Sequence, residues 1–470
     1  MQIPSPERST NNPSDANNRH KRAREAAQSP GIASLFSQRR LNTLLLAIAI
    51  IIQLALLYVI RRYAAAPDGG DFCRDAVAMQ RMLAGQTPYA RVTTCGILFN
   101  VPHPPAYFLL IGPFAALPVA WGAALWDVVG LAALALSLAL VARELRLAIP
   151  PALLALLLAG LIAWPPLLQT LLEAQVSPML LLLVTLAWLW GRRGRSAWAG
   201  AALGVAAAVR LFPALAVVYF ALRRDWRATL SAIAVFIGLE LLATPMVGGI
   251  GGVRAYITTE APASSAFWIT HEHNVSLWGF THLLFIGPRA VRPLVSAPWL
   301  ASPLAYSMIG TLLVVLVART WRNRQQSFAA DECTFLAYIP LMLLASPLTW
   351  LHYFVMLLLP LVVLLANIRR GTKMARGLKA TGNPAGQANR STITALETIR
   401  GEHRMLILFA LIEALLWITT AVDIAVASAP RPLPAAYGVL VYVLPTYALL
   451  LIYAVLLAPN AWRRGTVSRA

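Results

Sequence analysis

The chain has 470 residues, of which 59% are hydrophobic and only 12% are charged, with a mean hydropathy of +0.66 and a formal net charge of +20. Soluble domains carry about twice that share of charged residues, so the composition excludes a soluble globular protein. The basic residues punctuate apolar segments and form no patch interleaved with aromatics, which argues against nucleic acid as a partner. Repeated apolar runs of membrane-spanning length predict an all-α polytopic membrane protein.

Polarity divides the chain into four regions. Residues 1–40 are polar and basic, and we expect a disordered terminus without a cleavable signal. Residues 41–367 form the apolar membrane core. The Gly/Ser/Thr/Lys-rich segment 368–403 is typical of a flexible loop, and 404–470 is predicted to be a C-terminal transmembrane hairpin with a basic tail.

Twelve apolar runs are candidates for membrane-spanning helices, for which about 20 residues are needed. They cover residues 41–60, 120–142, 151–169, 177–191, 197–209, 211–222, 228–247, 300–318, 333–346, 348–367, 404–425 and 437–457. The pair 197–222 is short and bracketed by basic clusters, so we predict a hairpin. The proline-broken stretch 102–118 is too short to add a span and is predicted to be interfacial or re-entrant.

The distribution of lysine and arginine predicts the sidedness, because these residues are enriched in cytoplasmic segments. With both termini inside, 29 of the 39 basic residues lie on the inner side and 10 on the outer side. The loops 61–103 and 248–299 are then external, and 368–403 is cytoplasmic.

Cys73 and Cys95 both fall in the first outer loop, where an oxidising compartment would allow a disulfide. The polar residues that this map places outside are Asp68, Asp71, Asp75, His103, Glu173, Gln175, Arg210, Glu260, His271, Glu272, His273, Asn274 and His352.

The first outer loop supplies carboxylates in the stretch DFCRDAVAMQRMLAGQTPY. If this stretch is helical, Asp71 and Asp75 share a face, and two like charges so close raise the pKa of one of them. A carboxylate within reach of a hydroxyl can act as a general base. The structural alternative is that Asp71 is the N-cap of a helix beginning at Phe72, and composition alone favours it.

Cationic and imidazole side chains lie on the same predicted side. Arg210 stands at the outer turn of the short hairpin, where it either binds a lipid phosphate or extends to the headgroup layer. His352 either donates to a phosphate oxygen or is a satisfied buried histidine. The spacing of His271 and His273 is compatible with metal ligands, although this signal is weak by itself. The sequence has no HExxH, DxD, P-loop or Rossmann fingerprint.

Six motifs occur in an order that resembles glycosyltransferase family 87. They are DFCRDAVAMQRMLAGQTPY, HPPAYFLLIGPFAALP, EAQVSPMLLLL, GAALGVAAAVRLFPALAVVYFALRRDWR, HNVSLWGF and SPLTWLHYFVMLLLP. The resemblance runs from about residue 45 to residue 365. It implies a GT-C-type membrane glycosyltransferase in the plasma membrane of a bacterium, acting in the cell envelope, with an active site open to the extracytoplasmic side.

The resemblance also implies the substrates. The donor is a polyprenyl-phosphate sugar, mannose in the family's mannosyltransferases, and the acceptor is a glycolipid or a glycan. The partners expected are these substrates and membrane lipids. Transfer is expected to invert the anomeric centre, without a metal and without any other cofactor.

The family pattern assigns roles to residues of this chain. Its leading loop aspartate matches Asp71, the implied base, whereas Asp75 falls where an aromatic or a histidine is common. Arg210 with Pro213 matches the K/R-x-x-P pattern, and His352 ends the SP-x-[ST]-W-x-H pattern. Both are implied to bind the donor phosphate. The other candidate substrate-binding residues are Asp75, His103, Gln175, His273, Asn274 and Trp350.

Two alternatives come from other classes. A transporter or flippase of lipid-linked sugars would bind the same phosphate without chemistry, but such folds usually contain inverted repeats, and the two halves of this sequence show no clear repeat. A membrane scaffold would explain the hydropathy but not the clustering of polar residues outside. Replacement of Asp71 by Asn distinguishes an enzyme from both, because a binding protein should largely tolerate it.

Overall fold

The computed structural model describes residues 70–89, 103–147, 164–287, 292–367, 410–419 and 441–458, together with four isolated positions elsewhere. The described residues form helices joined by turns, with no β-strand among them. The chain divides into two compact units, one formed by Met1–Leu57 with Ile149–Ile162 and the other by Tyr58–Ala148 with Ala163–Ala470. All helices given below belong to the second unit, and only the four isolated positions belong to the first.

Sixteen helices are described, and we number them in chain order. The first eight are α1 Gly70–Leu83, α2 Tyr107–Ala115, α3 Val119–Glu144, α4 Pro165–Leu172, α5 Ser177–Arg192, α6 Ser196–Val209, α7 Val217–Leu222 and α8 Trp226–Ala243. The others are α9 Gly249–Ala255, α10 Ala261–Trp268, α11 Leu277–Phe285, α12 Pro298–Arg322, α13 Phe328–Ala345, α14 Leu351–Asn367, α15 Ala410–Thr419 and α16 Leu444–Leu457. Short 3-10 or π segments join several of them, at Phe212–Ala216, Thr244–Val247 and Tyr256–Glu260, and α14 begins with the 3-10 turn Leu351–Leu357.

Four described helices are long and apolar enough to cross a membrane: α3, α12, α13 and the helix Trp226–Val247 that contains α8. Large apolar side chains lie exposed along these helices, among them Trp121, Leu125, Val128, Leu230, Ile237, Leu241, Trp299, Val314 and Val315. Contiguous exposed apolar faces of this length require an apolar solvent. The protein is therefore an integral membrane protein.

Ten of the twelve predicted runs coincide with or contain described helices. The run 41–60 lies outside the described residues except for isolated helical positions, and 151–169 is described almost only from Trp164, with α4 beginning at Pro165. The number of twelve spans therefore stays a prediction. The predicted interfacial stretch contains α2, which has nine residues with Pro113 inside and is too short to cross. The two regions that the sequence predicts to be disordered or flexible, 1–40 and 368–403, lie outside the described residues.

The predicted hairpin exists as α6, a tight turn and α7, and small residues explain why it packs closely. A Cβ atom added to Gly200 would lie 1.9 Å from the carbonyl oxygen of Ala228, and one added to Gly204 would lie 2.5 Å from that of Ala232. Small residues at helix interfaces allow backbones to approach in membrane proteins. The close contact of α6 with α8 holds the turn at Arg210 in a defined place.

Buried acidic residues gather at the end of α5 that carries the basic cluster. Glu332 accepts hydrogen bonds from Arg192 and from the Trp188 indole, and Asp331 is paired with Arg223. Buried carboxylates need such partners. These pairs hold helix ends together at the C-terminal end of α5. The polar residues described next lie at the other end, near the start of α5.

Candidate active site

A cavity of about 670 Å³ opens among α1, α4, the α6–α7 turn, α10 and the loop before α14. Seven of the nine predicted site residues line it: Asp71, His103, Gln175, Arg210, His273, Trp350 and His352. Asp75 and Asn274 are not among its lining residues. The cavity therefore brings together side chains from all six sequence motifs.

Asp71 lies in the first turn of α1, with its side chain about one-third exposed at the cavity. Its Oδ1 atom is 2.6 Å from Nη2 of Arg74, and its Oδ2 accepts a hydrogen bond of 2.6 Å from Nε2 of Gln175. The expectation that Asp71 is the N-cap of a helix beginning at Phe72 was wrong, because α1 begins at Gly70. The backbone N–H of Asp71 instead donates to the carboxylate of Glu173.

Glu173 and Gln175 reach Asp71 from a strained turn at the end of α4. Ala174 has a φ of 47°, and the N–H of Gln175 donates to the carbonyl of Thr170. This is the Schellman closure of a helix, at a position where glycine is usual. The left-handed conformation costs an L-residue about 1–2 kcal/mol. Such strain concentrates at functional sites.

Asp75 is buried one turn after Asp71 and has different partners. Its Oδ2 accepts a hydrogen bond of 2.6 Å from the hydroxyl of Tyr107, and its Oδ1 lies 3.3 Å from Nε2 of His103. Burial raises the pKa of the Asp75 carboxyl, but His103, Arg74 and Tyr107 together outweigh it and hold this pKa below its usual value. The prediction was that the two like charges raise the pKa of one of the pair, and Asp75 is not that residue.

The carboxyl whose pKa is raised is Glu173. Burial and the negative charge of Asp71 raise the pKa of Glu173 to about 7, against the opposing effects of the Asp71 N–H and of Arg74. A partly buried carboxyl beside another carboxylate is expected to behave in this way. Two carboxyl groups with different environments therefore meet at this end of the cavity.

His103 connects Asp75 to Arg210. The Nδ1 atom of His103 lies 2.6 Å from Nη1 of Arg210. A guanidinium group has only donors, so Nδ1 accepts and the ring proton is on Nε2, which faces Asp75. Burial and the charge of Arg210 lower the pKa of His103 to about 4, although Asp75 opposes them. His103 is thus a neutral bridge between a buried cation and a buried anion.

Arg210 and His352 provide unfilled donors inside the cavity. The Arg210 guanidinium lies near the rings of Tyr107 and Tyr353, at 5.6 and 5.8 Å from their centroids, and its Nε has no hydrogen-bond partner among the described residues. His352 is buried, and within the described part of the chain neither of its ring nitrogens has a partner. Buried polar groups in proteins are nearly always hydrogen-bonded, so these atoms indicate a site for a polar ligand. Their charge and donors suit an anion.

The opposite side of the cavity is aromatic. Trp350 packs edge-on against Trp268 and His271, with ring centroids 5.4 and 5.1 Å apart. His271, Glu272 and His273 also form the one group of three potential metal ligands among the described residues, with ligand atoms within 4.8 Å of one another. Nδ1 of His271 already accepts a hydrogen bond from the N–H of His273, and the three residues are consecutive in one turn.

Asn274 joins two loops and does not face the cavity. Its Nδ2 donates to the carbonyls of Ile269 and Pro347, and its Oδ1 accepts from the N–H groups of Ser276 and Thr349. The amide is therefore fully used by the protein. Its visible effect is to fix the loop that carries Trp350 and leads into His352.

Sequence reasoning missed four residues that belong to this arrangement. They are Arg74, Tyr107, Glu173 and Tyr353. Arg74 could have been found from its i, i+3 spacing to Asp71 on a helix. Glu173 was among the polar residues predicted to lie outside, but its proximity to Asp71 depends on a contact between α1 and the end of α4 that no local pattern predicts.

Comparison with known proteins identifies the family of the chain. The model of glycosyltransferase family 87 matches residues 102–347, a shorter region than the expected 45–365, which leaves Asp71 and His352 outside it. Among solved structures, the chain is similar to ArnT from Cupriavidus metallidurans, crystallised with undecaprenyl phosphate, with 16% identity over 87% of this chain and 77% of that chain and a TM-score of 0.34. No curated protein matches. Because the family model covers more than half of the 470 residues, the chain belongs to glycosyltransferase family 87.

Proposed function

We propose that this protein transfers a sugar, mannose in the first instance, from a polyprenyl-phosphate-linked donor to a glycolipid or glycan acceptor. The observation that carries the proposal is His352, a buried histidine in the same cavity as Arg210 and Asp71, whose two ring nitrogens have no partner among the described residues. The cavity thus offers donors for an anion together with a carboxylate for an acceptor. Family membership supplies the reaction class.

The donor phosphate binds between Arg210 and His352. Arg210 is held on one side by His103 and the tyrosine rings, which leaves Nε and the second terminal nitrogen for phosphate oxygens. As the bond between the anomeric carbon and the phosphate oxygen breaks, its electron pair stays on the phosphate and negative charge builds there. Fixed positive groups stabilise this charge in a buried site far more than water does.

Asp71 is the general base for the acceptor. The acceptor O–H gives its proton to this carboxylate while its oxygen forms the new bond to the anomeric carbon. Attack from the face opposite to the leaving phosphate inverts that carbon. Gln175 and Arg74 hold the two oxygens of Asp71, so the carboxylate has a defined orientation toward the cavity. No metal takes part in this scheme.

The reaction takes place on the extracytoplasmic side. This placement is supported by the basic residues, of which 29 of 39 lie in the segments assigned to the inside. The cavity is lined by segments assigned to the outside, including α10 and the turn at Arg210. The family and this predicted sidedness support a location in the plasma membrane of a bacterium and a role in cell-envelope synthesis.

The test is transfer by the full chain in proteoliposomes. Polyprenyl-phosphate mannose with a radioactive sugar is supplied with a glycolipid extract as acceptor, and a nucleotide-linked mannose is supplied in parallel. We expect label to pass into the acceptor only from the lipid-linked donor, with release of polyprenyl phosphate. Use of the nucleotide-linked donor alone would overturn the proposal. Movement of intact donor across the bilayer without transfer would indicate the flippase.

A further inference from the structure

We propose that the acceptor proton is received by a carboxyl pair, Asp71 together with Glu173, and not by Asp71 alone. In this scheme Asp71 takes the proton from the acceptor, and Glu173 shares that proton through Asp71 without contacting the acceptor. The inference rests on the proposed role of Asp71 as the base. It assigns a second acidic group to the reaction centre and predicts how the rate depends on pH.

The first argument is the use of both oxygens of Asp71. Oδ1 is held by Arg74 and Oδ2 by Gln175, each at 2.6 Å. Both oxygens of Asp71 therefore already have a partner. Among the described residues, the other acidic side chain that lines the cavity is that of Glu173, which makes it the available second site for the proton.

The second argument is the position of Glu173. It lines the same cavity, and its carboxylate accepts the backbone N–H of Asp71. The two charges are thereby held close through the first turn of α1. The strained Ala174 is what allows Glu173 and Gln175, on either side of it, both to reach Asp71. The turn at Ala174 thus brings two groups to Asp71. Gln175 donates a hydrogen bond to its carboxylate, and the negative charge of Glu173 repels that of Asp71.

The third argument is electrostatic. Burial and Asp71 raise the pKa of Glu173 to about 7. The charged groups that face it among the described residues are Asp71 and Arg74. The other titratable side chains of the cavity are His103, Arg210, Tyr256, His271, His273, His352 and Tyr353. Coupled carboxyls take up protons as a pair, so one added proton is shared between Asp71 and Glu173.

The proposed transfer step needs no reactant besides the donor and the acceptor. The acceptor O–H bond breaks and its proton passes to the pair. The acceptor oxygen bonds to the anomeric carbon, and the bond from that carbon to phosphate breaks with its electrons on the phosphate. Ionised Glu173 makes the pair more basic, so transfer should accelerate as the pH rises through about 7.

The experiment compares Glu173→Gln with a matched control. The amide oxygen of Gln still accepts the N–H of Asp71, so the substitution removes only the charge. The control is Glu240→Gln, because Glu240 likewise accepts a backbone N–H, that of Ala106 at 3.3 Å, and is not a lining residue of the cavity. The readout is kcat/KM with polyprenyl-phosphate mannose between about pH 5.5 and about pH 9, where the pair is expected to titrate.

For wild type and Glu240→Gln we expect kcat/KM to rise through about pH 7. Glu173→Gln should lack this rise and be about tenfold slower at the alkaline end, a loss equivalent to one pKa unit of basicity. Glu173→Asp restores the charge and should restore part of the rise. A purely structural Glu173 predicts a normal profile for Glu173→Gln, and that result would overturn the inference.

Two further outcomes separate the inference from the proposed function. If Asp71→Asn is inactive while Glu173→Gln has the wild-type profile, only the pair is refuted. If Asp71→Asn keeps near-normal turnover, Asp71 is not the base and both proposals fall. Should Glu173→Gln fail to fold, the wild-type profile alone still decides, because a flat profile through pH 7 contradicts the pair.

Discussion

The Nδ1 atom of His103 lies 2.6 Å from a terminal nitrogen of Arg210, although the two residues are 107 positions apart in the sequence. A neutral imidazole therefore orients the guanidinium that we propose to bind the donor phosphate. The other nitrogen of the same ring faces Asp75 at 3.3 Å. The interaction of His103 with Arg210 and its interaction with Asp75 can be removed separately, by a side chain that retains a polar atom at only one of the two ring-nitrogen positions.

His103→Gln and His103→Asn should differ in donor affinity. Asn places its carbonyl oxygen near the position of Nδ1 and can still accept from Arg210, whereas Gln reaches toward Asp75 and leaves Arg210 without its acceptor. A hydrogen bond to a charged group contributes about 1.5–3 kcal/mol, so we expect KM for the donor to rise about 10- to 100-fold in His103→Gln. The KM for the donor should rise less in His103→Asn. Equal effects in steady-state kinetics would contradict this role for the bridge.

Asp75→Asn should destabilise the free protein more than the donor-bound protein. Asp75 is the buried anion behind His103, and loss of one partner of a buried charge pair costs about 3–5 kcal/mol. A bound phosphate supplies a negative charge to the same arginine. We therefore expect a lower melting temperature and a larger increase on adding undecaprenyl phosphate than in wild type. If Asp75 acted only through its charge on Asp71, wild type and variant would show the same ligand-induced melting shift.

Asp71→Asn should nearly abolish transfer and leave folding and donor binding intact. Loss of a general base lowers a rate by about 10²–10⁴-fold. The substitution does not disturb the start of α1, because Glu173 holds the backbone N–H of this residue. Single-turnover transfer, thermal melting and polyprenyl-phosphate binding should be measured on the same preparation. A well-folded variant that turns over normally would remove Asp71 from its assigned role.

Transfer should proceed in the presence of EDTA. The candidate ligands His271, Glu272 and His273 are consecutive, and one nitrogen of His271 is already occupied by a backbone N–H. Stable metal sites usually draw ligands from several segments. We expect unchanged activity after chelation, with His271→Ala as a control that should retain its insensitivity to EDTA. Loss of activity that a divalent cation restores would contradict the metal-free scheme.

Membrane-impermeant maleimide should label a cysteine introduced at Ser265 but not one introduced at Ala385 in intact cells. Ser265 lines the cavity on α10, in the loop 248–299 that is predicted to be external. The loop 368–403, which contains Ala385, carries many of the basic residues that predict the inside. Cys333 is not disulfide-bonded, so it is replaced in both variants. Cys73 is disulfide-bonded and need not be replaced. Labelling at position 385 but not at position 265 would show that the predicted topology is inverted.

Local sequence patterns predicted most of the described helices and several residues of the cavity lining. Apolar runs predicted the bounds to within a few residues for 120–142 and 177–191, which correspond to Val119–Glu144 and Ser177–Arg192. The motifs singled out Asp71, Arg210 and His352, and all three line one cavity. Cys95, with which Cys73 could pair, lies outside the described residues.

The sequence alone determined that this is a helical membrane protein of family 87, because hydropathy and short motifs are properties of neighbouring residues. Only the tertiary structure decided which polar groups are partners. Asp75 joined Tyr107 and His103 instead of Asp71, Glu173 replaced Asp71 as the cap of α1, and Asn274 became a link between loops. Such pairs depend on how helices far apart in the chain pack. A buried charge takes the nearest compatible partner in space, which no local spacing specifies.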